Sequence, residues 1–352
     1  RVVELLLTRH ADPNAPLTDS PFPATPLEYA VEYGSVRTAS LLLAAGAHPD
    51  AKRPGGRTAL HLAVAGRRLD MLQFLIERGF DLNARDADGT SPLDDAVWHG
   101  SLDTAAILLA HGARLNEPHP QTGATPINEA AWQGNTSVVR YLLQFRPDLQ
   151  IPDKRGYSPL DNATRRGKEA SALLLLEAEP KERQTPQFFG RAMDAAIGKD
   201  ESLLVEALLR HGAGANDILP SGSTPLDVGV SAGAARAVRV LLENSGDPNR
   251  GGRNGTSSLE EAALKGFESI ARMLLDHGAR VNQVNTGSGT TALYAAASFG
   301  KGDLVKLLLD RGANPALCGS SRKTPYQAAL DNGYADVATR LRNQGGAGSC
   351  EK

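Results

Sequence analysis

Apolar positions along this chain fall into short helical stretches that recur at a fixed spacing. A serine or threonine that opens a small apolar segment occurs every 33 or 34 residues, apart from one double step of 66 residues. Arg191 stands near the middle of that double step, at the start of a degenerate copy. Pairs of leucines, such as Leu108 and Leu109, repeat in the same phase. The chain therefore contains ten copies of one unit. Nine of them open with a serine or threonine: Thr25, Thr58, Ser91, Thr125, Ser158, Thr224, Ser257, Thr291 and Thr324.

Each copy predicts two helices. The serine or threonine is suited to an N-cap, because its side-chain oxygen accepts a hydrogen bond from a free backbone N–H of the first turn. Proline often follows at the first helical position, where a missing N–H costs nothing. Glycines such as Gly100 and Gly112 are placed to end the first and second helix. Neither helix can bury its apolar face alone, so the copies must stack into an all-α repeat solenoid.

The clearest copy is "GRTALHLAVAGRRLDMLQFLIERGFDLNARDADG", residues 56–89. Its period and its "TALH" phrase resemble the ankyrin repeat, and the resemblance extends over about residues 2–342. It implies an ankyrin-repeat array of helix-turn-helix units with hairpin loops and a concave groove. It also implies binding, usually of proteins, and it supplies no catalytic residues.

Departures from the repeat suggest the domain organisation. Residues 2–14 match only a second helix and its loop, and residues 179–189 lack the usual loop glycines although the length is kept. The last copy replaces a leucine with Arg342, which suits a cap facing water. We expect a truncated first repeat (1–24), an N-terminal half-array (25–178), an irregular hairpin with a possible bend (179–190), a C-terminal half-array with its cap (191–342) and a disordered tail (343–352).

Composition and net charge limit the classes of function that this chain can have. The net charge is −2 and the isoelectric point about 6.5, so no overall field attracts nucleic acid. Cys318 and Cys350 are too few for a disulfide framework or a metal cluster, and no apolar run reaches the length of a membrane span. We expect no metal, no cofactor, no membrane span and an intracellular, cytoplasmic location. The chain does not begin with methionine, so N-terminal targeting information could be missing from it.

Several titratable residues have structural explanations. The acids three residues after the caps, such as Glu28 and Asp94, occupy the capping-box position, and successive copies lie too far apart to share a metal ion. His61 belongs to the "TALH" phrase and is expected to be a hydrogen-bonded structural group.

Both tryptophans of the chain fall on neighbouring rungs of the expected groove, each with an acid three residues earlier. Equivalent rungs carry small residues such as Ala65 and Ser231, so packing does not require bulk there. Tryptophan beside a carboxylate suits a partner's lysine or arginine, and adjacent arginines suit a carboxylate or phosphate. Simple packing of the indoles against neighbouring helices is the structural alternative. The candidate partner-binding residues are Tyr33, Asp95, Trp98, His99, Glu129, Trp132, Gln133, Arg165 and Arg166.

The sequence favours a protein-interaction scaffold that binds a partner segment in this groove. An alternative is a small-molecule-binding or catalytic groove in which Asp95 orients His99 as a general base, beside Trp98 and Trp132. Nucleic-acid binding is disfavoured, because no basic stripe with interleaved aromatic residues is present. No nucleophile motif or phosphate loop supports an enzyme.

Overall fold

Each predicted serine or threonine cap begins a helix. A computed structural model describes residues 1–16, 24–53, 55–250, 255–319 and 322–348. In this part of the chain, helices in pairs alternate with hairpin loops, which confirms the all-α repeat solenoid. The chain divides into two compact units, Arg1–Ala178 and Glu179–Lys352.

The first unit contains eleven α-helices among its described residues. They are α1 (Val2–Thr8), α2 (Pro26–Tyr33), α3 (Val36–Ala44), α4 (Ala59–Ala65), α5 (Leu69–Glu77), α6 (Pro92–Trp98), α7 (Leu102–Ala110), α8 (Pro126–Gln133), α9 (Thr136–Leu143), α10 (Pro159–Arg165) and α11 (Glu169–Ala178).

The described residues of the second unit contain ten further α-helices, preceded by a 3-10 turn at Lys181–Arg183. They are α12 (Pro186–Gly198), α13 (Ser202–Arg210), α14 (Pro225–Ala232), α15 (Ala235–Glu243), α16 (Ser258–Lys265), α17 (Glu268–Asp276), α18 (Ala292–Ser298), α19 (Gly302–Asp310), α20 (Pro325–Asp331) and α21 (Ala335–Asn343).

Small residues let the first helices of successive repeats approach closely. Ala63, Ala96, Ala130 and Ala163 have no exposed surface, and α4, α6, α8 and α10 pack in that order. Leucines of the second helices fill the remaining space, and each fully buried leucine stabilises the fold by about 1.5–3 kcal/mol relative to an exposed one. The core of the first unit is therefore a layer built from the two ladders seen in the sequence.

The caps behave as their chemistry predicts. Ser91 accepts a hydrogen bond from the Asp94 backbone N–H at 3.2 Å, and the Asp94 carboxylate accepts from the Ser91 backbone N–H at 3.0 Å. This reciprocal pair satisfies two N–H groups that the first turn leaves free. Equivalent capping boxes with a carboxylate begin α2, α10 and α14.

Asparagines in several loops link one repeat to the next. The Asn249 side chain accepts from the Arg280 backbone N–H at 2.8 Å and donates to the Gly278 carbonyl at 3.0 Å. The Asn282 side chain makes the same two bonds one repeat later, to Asn314 and Gly312. Related bonds to a backbone N–H of the following loop are made by Asn14, Asn83, Asn116 and Asn216.

The start of the second unit differs from the sequence prediction. Residues 186–190 were expected in an irregular hairpin, but they form the first turns of α12. Thr185 caps this helix by accepting from the Phe188 backbone N–H at 3.2 Å, and Pro186 follows at the first helical position. Phe188 and Phe189 are buried, so the early start allows α12 to hide two large apolar side chains.

One expectation about the C-terminus also needs correction. The tail was expected to be disordered from residue 343, yet Asn343 ends α21 and the Gly346 N–H donates to the Leu341 carbonyl at 2.9 Å; residues 349–352 lie outside the described part. Cys318 takes part in a disulfide bond.

Candidate partner-binding surface

Two neighbouring pockets of the first unit share Trp98 as a wall. One, of about 310 Å³, is lined by Trp98 and by the four carboxylates of Asp88, Asp94, Asp95 and Glu129; we call it the acidic pocket. The other, of about 420 Å³, is lined by residues that include Trp98, Glu129, Trp132, Asp153 and Arg155; we call it the arginine pocket. The structure thus brings both tryptophans to one surface.

Trp98 lies at the C-terminal end of α6 and is 56% exposed. Its neighbours Ala96 and Val97 have no exposed surface, so the core contacts of this turn are made without the indole. Within the described residues, no lysine or arginine of the chain lies over the Trp98 ring. More than half of the Trp98 side chain is therefore left uncovered by the packing of its own chain.

Trp132 has different surroundings. The guanidinium carbon of Arg155 lies 4.7 Å from the centre of its ring, and that of Arg166 lies 4.6 Å away. Both distances are within the range of a cation–π interaction. The indole that seemed equivalent to Trp98 in the sequence is thus already in contact with two cations of its own chain.

A second aromatic ring extends this arginine cluster. The guanidinium carbon of Arg165 lies 4.0 Å from the ring centre of Tyr157, and that of Arg155 lies 5.7 Å from it. Arg155 also donates from Nη2 to Asp153 at 2.9 Å. Tyr157 was not among the residues singled out in the sequence.

The carboxylates of the acidic pocket fall into two groups. Asp95 forms an ion pair with Arg57, and Asp94 lies 3.7 Å from Arg85. Asp88 and Glu129 form no ion pair within the described residues; Glu129 accepts a hydrogen bond from Gln133 at 3.1 Å. The pocket consequently keeps an excess of negative charge.

Burial makes two of these carboxylates easier to protonate. Loss of hydration raises the pKa of Glu129, and the nearby Asp94 charge acts in the same direction, whereas the Gln133 hydrogen bond and Arg155 oppose it. Burial likewise raises the pKa of Asp94 against its bonds from Ser91. A cation placed among these groups would replace part of their lost hydration and favour their ionised forms.

Asp153 shows the opposite balance. Burial disfavours its charge, but hydrogen bonds from the Tyr157 backbone, from the Arg155 side chain and backbone, and from Asn162 together lower the pKa of Asp153. The carboxylate is therefore a fixed anion beneath Arg155.

A long hairpin tip, residues 117–123, separates the two tryptophan-bearing repeats and borders both pockets. Thr122 lines each of them, with His119 on the acidic side and Gln121 on the arginine side. The Thr122 carbonyl accepts from the Lys154 backbone N–H at 2.8 Å, which ties this tip to the next one. The hairpin thereby fixes the rim of the surface.

Some candidate residues do not join this cluster. Tyr33 lines a separate apolar pocket of about 460 Å³ with Tyr29, Leu6 and Leu42, and its hydroxyl donates to Glu32 at 2.9 Å. His99 is exposed and its imidazole forms no hydrogen bond within the described residues. The Asp95–His99 bond that the catalytic alternative requires is not made there, because Asp95 faces Arg57.

Two other features, a metal cluster and a membrane span, are absent from the described residues. These residues contain no group of three or more histidine, cysteine, aspartate or glutamate side chains arranged to hold a metal ion. No helix in the same part of the chain has the length and apolar character needed to cross a membrane.

Comparison with known proteins explains this architecture. The family model "Ankyrin repeats (3 copies)" matches residues 1–86, 27–119, 96–184, 192–285 and 282–349. The chain belongs to the ankyrin-repeat family. The five matches of the ankyrin model together cover almost all of the sequence, in agreement with the paired helices and capped turns.

Individual relatives match parts of the ankyrin-repeat array. Human ankyrin repeat and SOCS box protein 16 is 31% identical over 224 residues, which are 61% of this chain and 49% of the relative. Mouse B-cell lymphoma 3 protein homolog is 31% identical over 147 residues, 41% of this chain and 33% of the relative. Human BCL-6 corepressor-like protein 1 is 43% identical over 58 residues, 16% of this chain and 3% of the relative. This chain therefore spans about half the length, or less, of these ankyrin-repeat relatives.

Proposed function

We propose that this ankyrin-repeat protein is an interaction scaffold that binds a segment of a partner protein, with a lysine or arginine of that segment over Trp98. The observation that carries the proposal is the contrast between the two tryptophans. Trp132 is covered by cations of the same chain, whereas Trp98 is exposed beside carboxylates and has no such partner within the described residues. The family and the relatives support the scaffold itself.

The acidic pocket is suited to a basic side chain. A cation over an indole gains roughly 0.5–2 kcal/mol, and Asp88 and Glu129 add unpaired negative charge at the rim. The supporting helices are held by buried alanines and capping boxes, so little conformational entropy is lost when a partner binds. A few anchors can then supply useful affinity.

The catalytic alternative has less support. Asp95 is engaged by Arg57 rather than oriented toward His99, and the open surface excludes water poorly. An intracellular location remains a prediction from the sequence, and the disulfide at Cys318 is a reason to test it directly.

A random peptide library displayed on phage tests the proposal, because the surface itself selects the segments that it binds. Peptides selected on the wild-type chain should be enriched in lysine or arginine, and Trp98→Ala should weaken their binding by about tenfold. Glu129→Gln should weaken it less, because it removes charge but no ring. Phe299→Ala is the matched control, since Phe299 directly follows α18 in the second unit and is 54% exposed.

Selected peptides that lack basic residues, or that bind Trp98→Ala as well as wild type, would count against the proposal. Thermal unfolding of the Trp98→Ala and Phe299→Ala variants, followed by circular dichroism, should match wild type, because both aromatic side chains are largely in solvent. That measurement separates a lost anchor from a lost fold.

A further inference from the structure

The arginine cluster beside Trp132 holds two cations in a defined position without neutralising them. Arg165 lies over Tyr157 and Arg166 lies over Trp132, both close to the ring centres. Both arginine residues are exposed at the end of α10. A guanidinium that lies over a ring leaves N–H groups at its edge available as donors.

The ion pairs of the first unit set these two residues apart from their neighbours. Arg155 is paired with Asp153, Arg57 with Asp95 and Arg53 with Glu32. Within the described residues, Arg165 and Arg166 form neither an ion pair nor a side-chain hydrogen bond to a carboxylate. Two positive charges therefore remain on this part of the surface.

Such an arrangement is suited to an oxyanion. Guanidinium groups bind carboxylates and phosphates through paired N–H donors, and contact with a ring reduces the freedom that each side chain would lose on binding. Arg155 is committed to Asp153, and the Lys154 ammonium donates to the Pro120 carbonyl at 2.5 Å. Arg165 and Arg166 are therefore the donors available to an incoming group.

We infer that Arg165 and Arg166 bind an oxyanion of the partner segment, supplied by a phosphorylated side chain or by aspartate or glutamate, while a basic residue of the same segment lies over Trp98. This inference rests on the proposed function. It assigns Trp132 a positioning role, because its ring supports Arg166 instead of anchoring the partner.

The two subsites are close enough for one short segment. Trp98 and Trp132 line the same arginine pocket, and Arg166 contacts Trp132 directly. The partner segment should accordingly carry a positive side chain and a negative one, separated by a few residues. The order and spacing of the two charges then become the recognised feature.

Synthetic peptides of defined sequence provide the test. Each peptide carries a fluorescent label and a fixed position that is either lysine or alanine. A second, variable position is occupied by phosphoserine, glutamate, serine or lysine. This variable position is placed before or after the fixed one, at increasing separation along the peptide. Fluorescence anisotropy gives the affinity for the wild-type chain at low and moderate salt. At one spacing, phosphoserine or glutamate should bind about tenfold more tightly than serine, with the advantage reduced by salt.

Substitutions locate the effect. Arg165→Gln with Arg166→Gln should abolish the advantage of the anionic residue but preserve the dependence on lysine. Arg140→Gln with Arg146→Gln, which removes the same charge from α9 and the loop after it, should leave the advantage unchanged. Trp132→Ala should reduce the advantage of the anionic residue, whereas Trp132→Phe should retain most of it. Arg165→Lys with Arg166→Lys should keep only part of that advantage, because an ammonium lacks the planar fork of a guanidinium. Circular dichroism confirms that each variant is folded.

The outcomes separate the inference from the proposed function. An advantage for phosphoserine alone indicates a phosphorylated partner, and an advantage for both anions indicates an acidic one; either supports the inference. If lysine matters through Trp98 but the anion adds nothing at any spacing, or if the double glutamine variant keeps the advantage, the inference is overturned and the scaffold proposal stands. If the anion matters through the arginines but lysine adds nothing, the Trp98 proposal fails and the anion site stands. If no peptide binds, both are overturned.

Discussion

The guanidinium of Arg57 forms an ion pair with the carboxylate of Asp95, although 38 residues separate them in the chain. Arg57 precedes the cap of α4, and Asp95 lies in the first turn of α6. The pair therefore joins the hairpin of one repeat to the first helix of the next. It also neutralises the carboxylate nearest to Trp98 in sequence, which leaves Asp88 and Glu129 as the unpaired acids of the pocket.

Breaking this pair should have a small effect on stability and a measurable effect on binding. The side chains of Arg57 and Asp95 are 35% and 14% exposed, so we expect a coupling of about 0.5–1 kcal/mol from urea unfolding of Arg57→Gln, Asp95→Asn and the double variant. Arg57→Gln should also strengthen binding of lysine peptides, because Asp95 then adds its charge to the acidic pocket. Additive losses in the double-mutant cycle would show that the two residues do not interact in solution.

His61 should make stability depend on pH. Its Nδ1 accepts from the Thr58 hydroxyl at 2.8 Å, and its Nε2 donates to the Thr90 carbonyl at 2.9 Å, so the buried imidazole is neutral. Burial lowers the pKa of His61, and the Thr90 bond only partly offsets this. Because the folded-state pKa is lower than the unfolded one, its contribution to stability is present above about pH 6.5 and is lost as pH falls through the folded pKa.

His61→Gln isolates that contribution. Gln327 occupies the same place in α20, where its side chain accepts from the Thr324 N–H at 3.0 Å, so glutamine fits the capping position. We expect His61→Gln to lower the free energy of unfolding by about 1 kcal/mol at pH 7.5 and by progressively less toward pH 5. The raised pKa values of Asp94 and Glu129 change the free energy of unfolding in the opposite direction over this pH range. They act equally in the wild type and in His61→Gln, so their effect cancels when the two free energies are subtracted. A pH-independent difference would contradict the prediction.

Gly123 should tolerate alanine poorly. It has a φ of 72°, and a Cβ there would lie 2.7 Å from the Lys154 backbone nitrogen, where the next hairpin tip packs. We expect Gly123→Ala to cost about 2–3 kcal/mol and to weaken binding at the Trp98 surface, since the two tips must separate. Gly112→Ala is the control: its φ is 92° but no atom lies within 4 Å of the added Cβ, so only backbone strain of about 1–2 kcal/mol is expected. Urea unfolding distinguishes them, and equal losses would exclude the steric explanation.

The features that the sequence predicted correctly are those that depend on neighbouring residues, such as the helix caps. Thr25, Ser91 and Thr324 cap helices as their spacing indicated, because a cap depends on residues within one turn. The start of α12 was misplaced because Thr185 lies outside the usual register, and only the burial of Phe188 and Phe189 explains why the helix begins there.

The site was predicted less completely, since its geometry joins side chains from different repeats. Asn162, on the same helix as Arg165, was not singled out in the sequence as a partner-binding residue; it is buried and donates to Asn128 at 3.2 Å and to Asp153 at 3.3 Å. The difference between Trp98 and Trp132 depends on Arg155 and Arg166, which approach from the following hairpin and helix. The spacing that places both indoles on one face carries no information about which cations reach them.

The asparagine bonds between loops have a mechanical consequence. In the second unit, Asn216, Asn249 and Asn282 each join one loop to the next, so every such link spans a single repeat. A force applied along the stack would be borne by these links in series, and the weakest would yield first. Extension by optical tweezers would then unfold the repeats in steps of about one repeat each. A partner bound across several repeats would hold them together, so that they unfold in one larger step.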